Sequence, residues 1–191
     1  AQVFDFVREF RRGDSETPVV LMGYLNPVEV RGAENYARAA AEAGVDGLLL
    51  VDLPPEEAAS TRAALNAHGL ELISLAAPTT SAARLPGLAA AAQGYLYYVS
   101  FAGVTGAQLS DVDGVAAKVG ELRGHAKVPV LVGFGIKDAA SAAAVGACAD
   151  GVVVGSALVE RLAGAATTTA AAEAASAFLA PLRAALDGLP P

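Results

Sequence analysis

The sequence has a single cysteine, Cys148, and no apolar run longer than a strand. A lone thiol cannot close an internal disulfide, which points to a reducing, cytoplasmic setting. The apolar runs are broken by Asp, Gly or Pro well short of the roughly 20 residues that a membrane-spanning helix needs, so a soluble protein without membrane contact is expected. No charged-then-apolar leader opens the chain, which begins at Ala1, so export is not expected, whereas a missing upstream segment is. Basic residues are scarce, 13 Lys and Arg against 20 Asp and Glu, for a net charge of -7. Nucleic-acid binding depends on cations that neutralise phosphates, so that class of partner is disfavoured. A small phosphorylated ligand is not, because backbone N–H groups can hold phosphate without net positive charge.

The usual catalytic side chains are thin as well. Both histidines, His68 and His125, fall at the ends of helical stretches, where they read as caps of the helix dipole. Cys148 has no His arranged to activate it and no partners for a metal, so it reads as a small buried hydrophobe, and no metal site is expected. Of the three lysines only Lys137 follows an apolar run, which weakens any Schiff-base chemistry. Acid–base work would fall to carboxylates or tyrosines. The G-x-G-x-x-G spacing is missing: after Gly133 and Gly135 the third position is Asp138, which disfavours a dinucleotide site.

What is present is a rhythm. Val- and Leu-rich runs start near residues 18, 46, 70, 94, 129 and 151, with helical stretches between them. Continuous apolar runs of this length suit strands buried on both faces of a parallel sheet, so the chain reads as consecutive βα units in one domain, 1–191. The spacing predicts helices over 28–44, from Pro54 to Gly69, near 111–126 and near 138–149. An opening helix should carry Val3, Phe6, Val7 and Phe10 on one face, and a last helix should kink near Pro181. "AGVDGLLLVD" (43–52) and "ACADGVVVGS" (147–156) match in register, Asp46 over Asp150, so the unit itself is repeated.

Consecutive βα units suit an open doubly wound sheet or a closed (β/α)8 barrel. In the barrel, turns after the last two strands commonly form a phosphate pocket, and here Gly133-Phe134-Gly135 and Gly155-Ser156 stand at those turns. Such glycines also simply permit tight turns. Asp52 closes its strand at the catalytic rim, whereas Asp46 and Asp150 sit at strand starts and read as structural. The polar stretch 101–110 suits a cover over a site, or a plain surface loop. Tyr24 ends one strand; in another, alternation sends Tyr95 and Tyr97 to one face and Tyr98 to the other, against a flat aromatic ligand or into the core.

Taken in order, "VVLMGYLNP", "AGVDGLLLVDLPPEE", "LAAPTT", "GYLYYVSFAGVTGA", "VPVLVGFGI" and "ADGVVVGSALV" resemble the tryptophan synthase alpha chain family over about residues 18–160. The resemblance implies a TIM (β/α)8 barrel that cleaves indole-3-glycerol phosphate to indole and glyceraldehyde 3-phosphate in tryptophan biosynthesis. It implies a beta-chain partner in an α2β2 complex, with pyridoxal phosphate in that partner and no cofactor in the alpha chain. Carried over by position, Gly106, Gly135, Gly155 and Ser156 hold the substrate phosphate, Tyr24 and Tyr97 line its pocket, and Thr105 belongs to a lid. Asp52 and Asn26 couple the site to the partner.

The family's catalytic Glu and Asp lie on its second strand and the loop after it, in a "GIPFSDPLADGP"-like segment that does not occur here. The six strands correspond to the third to eighth of the family, so an N-terminally incomplete alpha chain with about six of eight βα units is expected, lacking both catalytic carboxylates. Two other readings stand beside it: a non-catalytic phosphate-binding module that modulates a beta-chain partner, and another phosphate-binding TIM-barrel enzyme.

Overall fold

The computed structural model describes residues 2–100, 112–133 and 135–190. The chain falls into two compact units, Ala1–Leu75 with Ala91–Tyr95, and Ala76–Ala90 with Leu96–Pro191.

The first unit runs α1 (Gln2–Arg11), β1 (Val20–Gly23), α2 (Asn26–Arg31), α3 (Ala33–Ala43), β2 (Gly47–Leu50), α4 (Ala59–Ala67) and β3 (Glu71–Ala76). Its strands pair in parallel in the order β1-β2-β3, with Val20 opposite Gly47 and Gly47 opposite Glu71. Every residue of β2 is buried, as a strand covered on both faces requires. α3 meets the core through Ala37, Ala39, Ala40 and Ala43, whose small side chains let a helix approach closely.

Three expectations change here. The predicted helix 28–44 is two helices, because the chain turns at Gly32 with φ 81°. The helix predicted from Pro54 begins only at Ala59, because Glu57 and Ala58 bond back three residues, to Pro54 and Pro55, in tight turns. In α1 the buried residues are Phe4 and Val7, while Val3, Phe6 and Phe10 are exposed. The contacts that decide this are long-range: Phe4 meets Tyr36 of α3 edge-on, and Arg11 reaches the far end of α3.

The second unit holds α5 (Leu85–Ala90), β4 (Leu96–Val99), α6 (Val112–Arg123), β5 (Val130–Gly133), α7 (Ala139–Gly146), β6 (Gly151–Val153), α8 (Ser156–Ala163) and α9 (Thr168–Asp187). Its strands are parallel in the order β4-β5-β6, with Leu96 opposite Val130 and Leu131 opposite Gly151. α9 continues through Pro181 to Asp187 as one helix. It packs closely on α7, where Leu186 and Leu189 occupy the space above Gly146.

Asp46 and Asp150 do the same structural job, as their matched positions suggest. Asp46 Oδ2 accepts the Val19 N–H at 2.6 Å and pairs with Arg11 at 2.6 Å. Asp150 Oδ2 accepts the Val130 N–H at 2.7 Å, and its Oδ1 pairs with Arg123 at 2.6 Å. Each aspartate thus ties the start of one strand to the start of its neighbour and to an arginine at a helix end. Burial alone would raise the Asp150 carboxyl; the bonds from Arg123 and Val130 outweigh it and hold it below its ordinary value.

Candidate functional site

The opposite, C-terminal ends of the strands carry the candidate site. In the second unit Gly133 pairs with Val153, so Gly135 and Gly155 each lie two residues beyond a paired position on neighbouring strands. The two turns are built differently.

At the end of β5, Gly133 serves a neighbouring side chain. A Cβ at that position would stand 2.5 Å from Tyr97 Cε2 and 2.6 Å from Cζ, and nearer still to the hydroxyl. The missing side chain at Gly133 makes room for the buried Tyr97 ring. Ser100 donates to the Gly133 carbonyl from both its N–H (3.1 Å) and its Oγ (3.2 Å), which fixes the strand ends together. Gly135 then adopts φ 76°, a conformation that side chains disfavour, and turns the chain toward α7.

α7 begins with a complete capping box. Asp138 accepts the Ser141 N–H at 2.8 Å, and Ser141 Oγ accepts the Asp138 N–H at 3.1 Å. The hydrogen bonds from the Ser141 side chain and backbone hold the Asp138 carboxyl below its ordinary value. The Ser141 N–H in the first turn of α7 thus already has an anionic partner from the chain itself.

α8 has none. Its N-cap is Gly155, no side chain caps it, and a Cβ at Gly155 would meet nothing within 4 Å. Ser156 is its first helical residue. First-turn N–H groups without a capping side chain, open approach and an adjacent hydroxyl are what an anion site at a helix start requires. The expected strand over 151–156 ends at Val153 because this helix starts so soon after it.

In the first unit, Tyr24 follows β1 and is exposed, and Asn26 is the first residue of α2 instead of a loop residue. Asp52 Oδ1 accepts the Leu25 N–H at 2.7 Å, so the turns after β1 and β2 are tied together one residue from Asn26. Thr105 and Gly106 lie outside the described residues.

His68 is the C-cap of α4, but its ring turns away from the helix: Nε2 lies 2.6 Å from Glu34 Oε1 on α3. Cys148 is half-buried, its Sγ donates to the Val145 carbonyl, and burial pushes the thiol up. Among the described residues no three His, Cys, Asp or Glu side chains converge as metal ligands, and no helix is long and apolar enough to cross a membrane. What the sequence did not reveal is the asymmetry between α7 and α8; the D-x-x-S spacing at Asp138–Ser141 was the available sign.

The family model for the tryptophan synthase alpha chain matches residues 1–186. The chain is 62% identical over 188 residues to the tryptophan synthase alpha chain of Xanthomonas euvesicatoria pv. vesicatoria, covering 98% of this chain and 70% of the relative. It is 63% identical to that of Xanthomonas oryzae pv. oryzae, with the same coverage. Among solved structures, the tryptophan synthase alpha chain from Legionella pneumophila superposes with a TM-score of 0.85 at 45% identity, covering 97% of this chain and 68% of the other. A chain of the tryptophan synthase α2β2 complex of Pyrococcus furiosus superposes with a TM-score of 0.83 at 34% identity, over 95% and 72%.

Proposed function

The chain belongs to the tryptophan synthase alpha chain family, a fold of the TIM (β/α)8 barrel type, and from that premise we propose that its uncapped turn at Gly155-Ser156, beside Gly135, grips the substrate phosphate. The family's reaction is the lyase step, aldol cleavage of indole-3-glycerol phosphate to indole and glyceraldehyde 3-phosphate in tryptophan biosynthesis. The single observation that carries the phosphate assignment is the free start of α8 next to a neighbour whose own start is filled by Asp138. Amides of the first helical turn bind a phosphate monoester electrostatically and with correct geometry, so no lysine is needed at the site.

Tyr97, held against Gly133, presents a fixed wall for the indole and glycerol portions, and Tyr24 joins the assignment through the resemblance alone. Gly106 and Thr105 join this assignment through the resemblance alone, as a further phosphate contact and a lid. Asp52 and Asn26 serve coupling to a beta chain in an α2β2 assembly: the Asp52 bond to Leu25 holds the two turns in one arrangement that a partner can read. The alpha chain works without a cofactor, pyridoxal phosphate belonging to the beta chain, and the enzyme acts in the cytoplasm. Proton transfer is assigned to none of the 191 residues, because the segment that carries the family's catalytic Glu and Asp does not occur among them.

Titration with glycerol 3-phosphate, followed by amide chemical shifts, tests the grip. Saturable shifts at Gly155, Ser156 and Gly135 are expected; shifts confined to other residues would remove the assignment. Indole formation by the 191-residue chain alone should be undetectable, and clear turnover would place the acid and base among these residues after all.

A further inference from the structure

A groove in the second unit is not used by the reading above. Two cavities of about 470 and 410 Å³ share Lys137, Asp138 and Arg161 in their walls. The larger is otherwise apolar, lined by Ala177, Phe178 and Pro181 of α9; the smaller is polar and reaches Ala157 and Glu160 of α8. The two lobes meet at a pair of cations. Volumes of this size are ordinary for small-molecule sites.

The cations are free to act. Arg161 Cζ lies 5.8 Å from the centroid of the Phe178 ring, a cation–π contact that holds the guanidinium against the aromatic wall and leaves its N–H groups unspent. Among the described residues neither Arg161 nor Lys137 makes a side-chain hydrogen bond or an ion pair. Of the two carboxylates on the rim, Asp138 bonds the Ser141 N–H and Oγ and feels the Lys137 charge only through space, and Glu160 is exposed. In a chain with net charge -7, two cations that make no side-chain hydrogen bond or ion pair among the described residues meet here at the junction of a polar and an apolar lobe.

We propose that this groove binds a small organic carboxylate with an apolar body, its head group between Lys137 and Arg161 and its body against Ala177, Phe178 and Pro181. A planar guanidinium fork matches the two oxygens of a carboxylate, and a monoanion suits a rim where two cations already face two acids. The site is separate from the phosphate grip and does not depend on that assignment.

The test uses the 191-residue chain and 4-phenylbutyrate as the probe, followed by amide shifts and calorimetry. Saturable binding with shifts at Ala157, Ala177 and Phe178 is expected, weakened about tenfold or more by Arg161→Gln and measurably by Lys137→Gln, as loss of a charge-assisted bond requires. The alcohol 4-phenylbutanol should bind far more weakly, and inorganic phosphate should leave the Phe178 amide unmoved. Equal binding of the alcohol, indifference to both substitutions, or phosphate reproducing the whole pattern would each overturn the proposal. Gly155→Asp separates the two sites: unchanged phenylbutyrate binding supports a distinct groove, and a loss as large as that of Arg161→Gln would place the probe in the phosphate turn instead.

Discussion

α7 and α8 leave neighbouring strands of one sheet, each through a glycine-bearing turn, yet their first turns are opposites. α7 is closed by Asp138 and Ser141, whose capping box takes the Ser141 N–H that a bound anion would otherwise meet. α8 opens on Gly155 with no side-chain cap and empty space above it. The pair teaches that an apolar run ending in glycine does not by itself mark a ligand site. What matters is whether the chain supplies its own acceptor to the helix start. Where it does, the helix is stabilised locally; where it does not, stability is forgone and an external anion can be held.

Making α8 resemble α7 should have the largest effect. Gly155→Asp puts a carboxylate where the phosphate is assigned, and KM for indole-3-glycerol phosphate in the full-length enzyme is expected to rise roughly 30-fold or more, equivalent to about 2 kcal/mol of lost charge-assisted bonding. An unchanged KM would cancel the contrast between the two helices. Next comes the other glycine. Gly133→Val drives a side chain into Tyr97 and should cost about 1–3 kcal/mol in urea unfolding, as overpacking does. Tyr97→Ala in the same chain should recover part of that loss, and strict additivity of the two changes would disprove the contact.

Opening α7 is a smaller change. Asp138→Ala removes the cap and should lower Tm without moving KM. Because the Asp138 carboxyl lies below its ordinary value of 3.8 when folded, its contribution is complete at pH values above that and fades as acid protonates it. The difference in Tm between Asp138→Ala and the parent chain should therefore shrink below about pH 3.8. The smallest effect is expected at the strand starts, where Asp150→Asn weakens a half-exposed pair with Arg123 by about 0.2–1 kcal/mol at neutral pH, read by urea unfolding. Its pH dependence has the same sign, since the Asp150 carboxyl is also held low.

The six strands among the described residues lie within the runs read from the sequence, because continuous Val and Leu segments bounded by Asp, Gly or Pro have few alternatives in a buried parallel sheet. Helix limits were less legible. Gly32 divides 28–44, and α8 could not be separated in advance from the strand before it, since Ser156 is both the third residue after the strand and the first of the helix. The burial of α1 was illegible for a related reason. Val3, Phe6 and Phe10 make a regular stripe, but helix periodicity says only that two faces exist, and the Phe4 contact with Tyr36 chooses between them.

The matched aspartates show the same division. Their equal spacing from the following strand identifies Asp46 and Asp150 as counterparts, while the arginines that complete them come from 35 and 27 residues away. Arg11 makes three further bonds, to the carbonyls of Gly44, Asp14 and Thr17, and is largely buried; among the described residues Arg123 bonds only Asp150, and it is more exposed. No spacing rule distinguishes these two arginines.

Residue order alone decided the alternation of strands and helices, the parallel pairing that it forces, and the family, because these depend on local hydrophobic pattern and on motifs a few residues long. Tertiary structure decided which of two glycine turns stays open to an anion, why Gly133 cannot carry a side chain, and which arginine each aspartate meets. Those outcomes depend on atoms distant in sequence competing for the same few ångströms and the same N–H groups, and that competition exists only once the chain has packed.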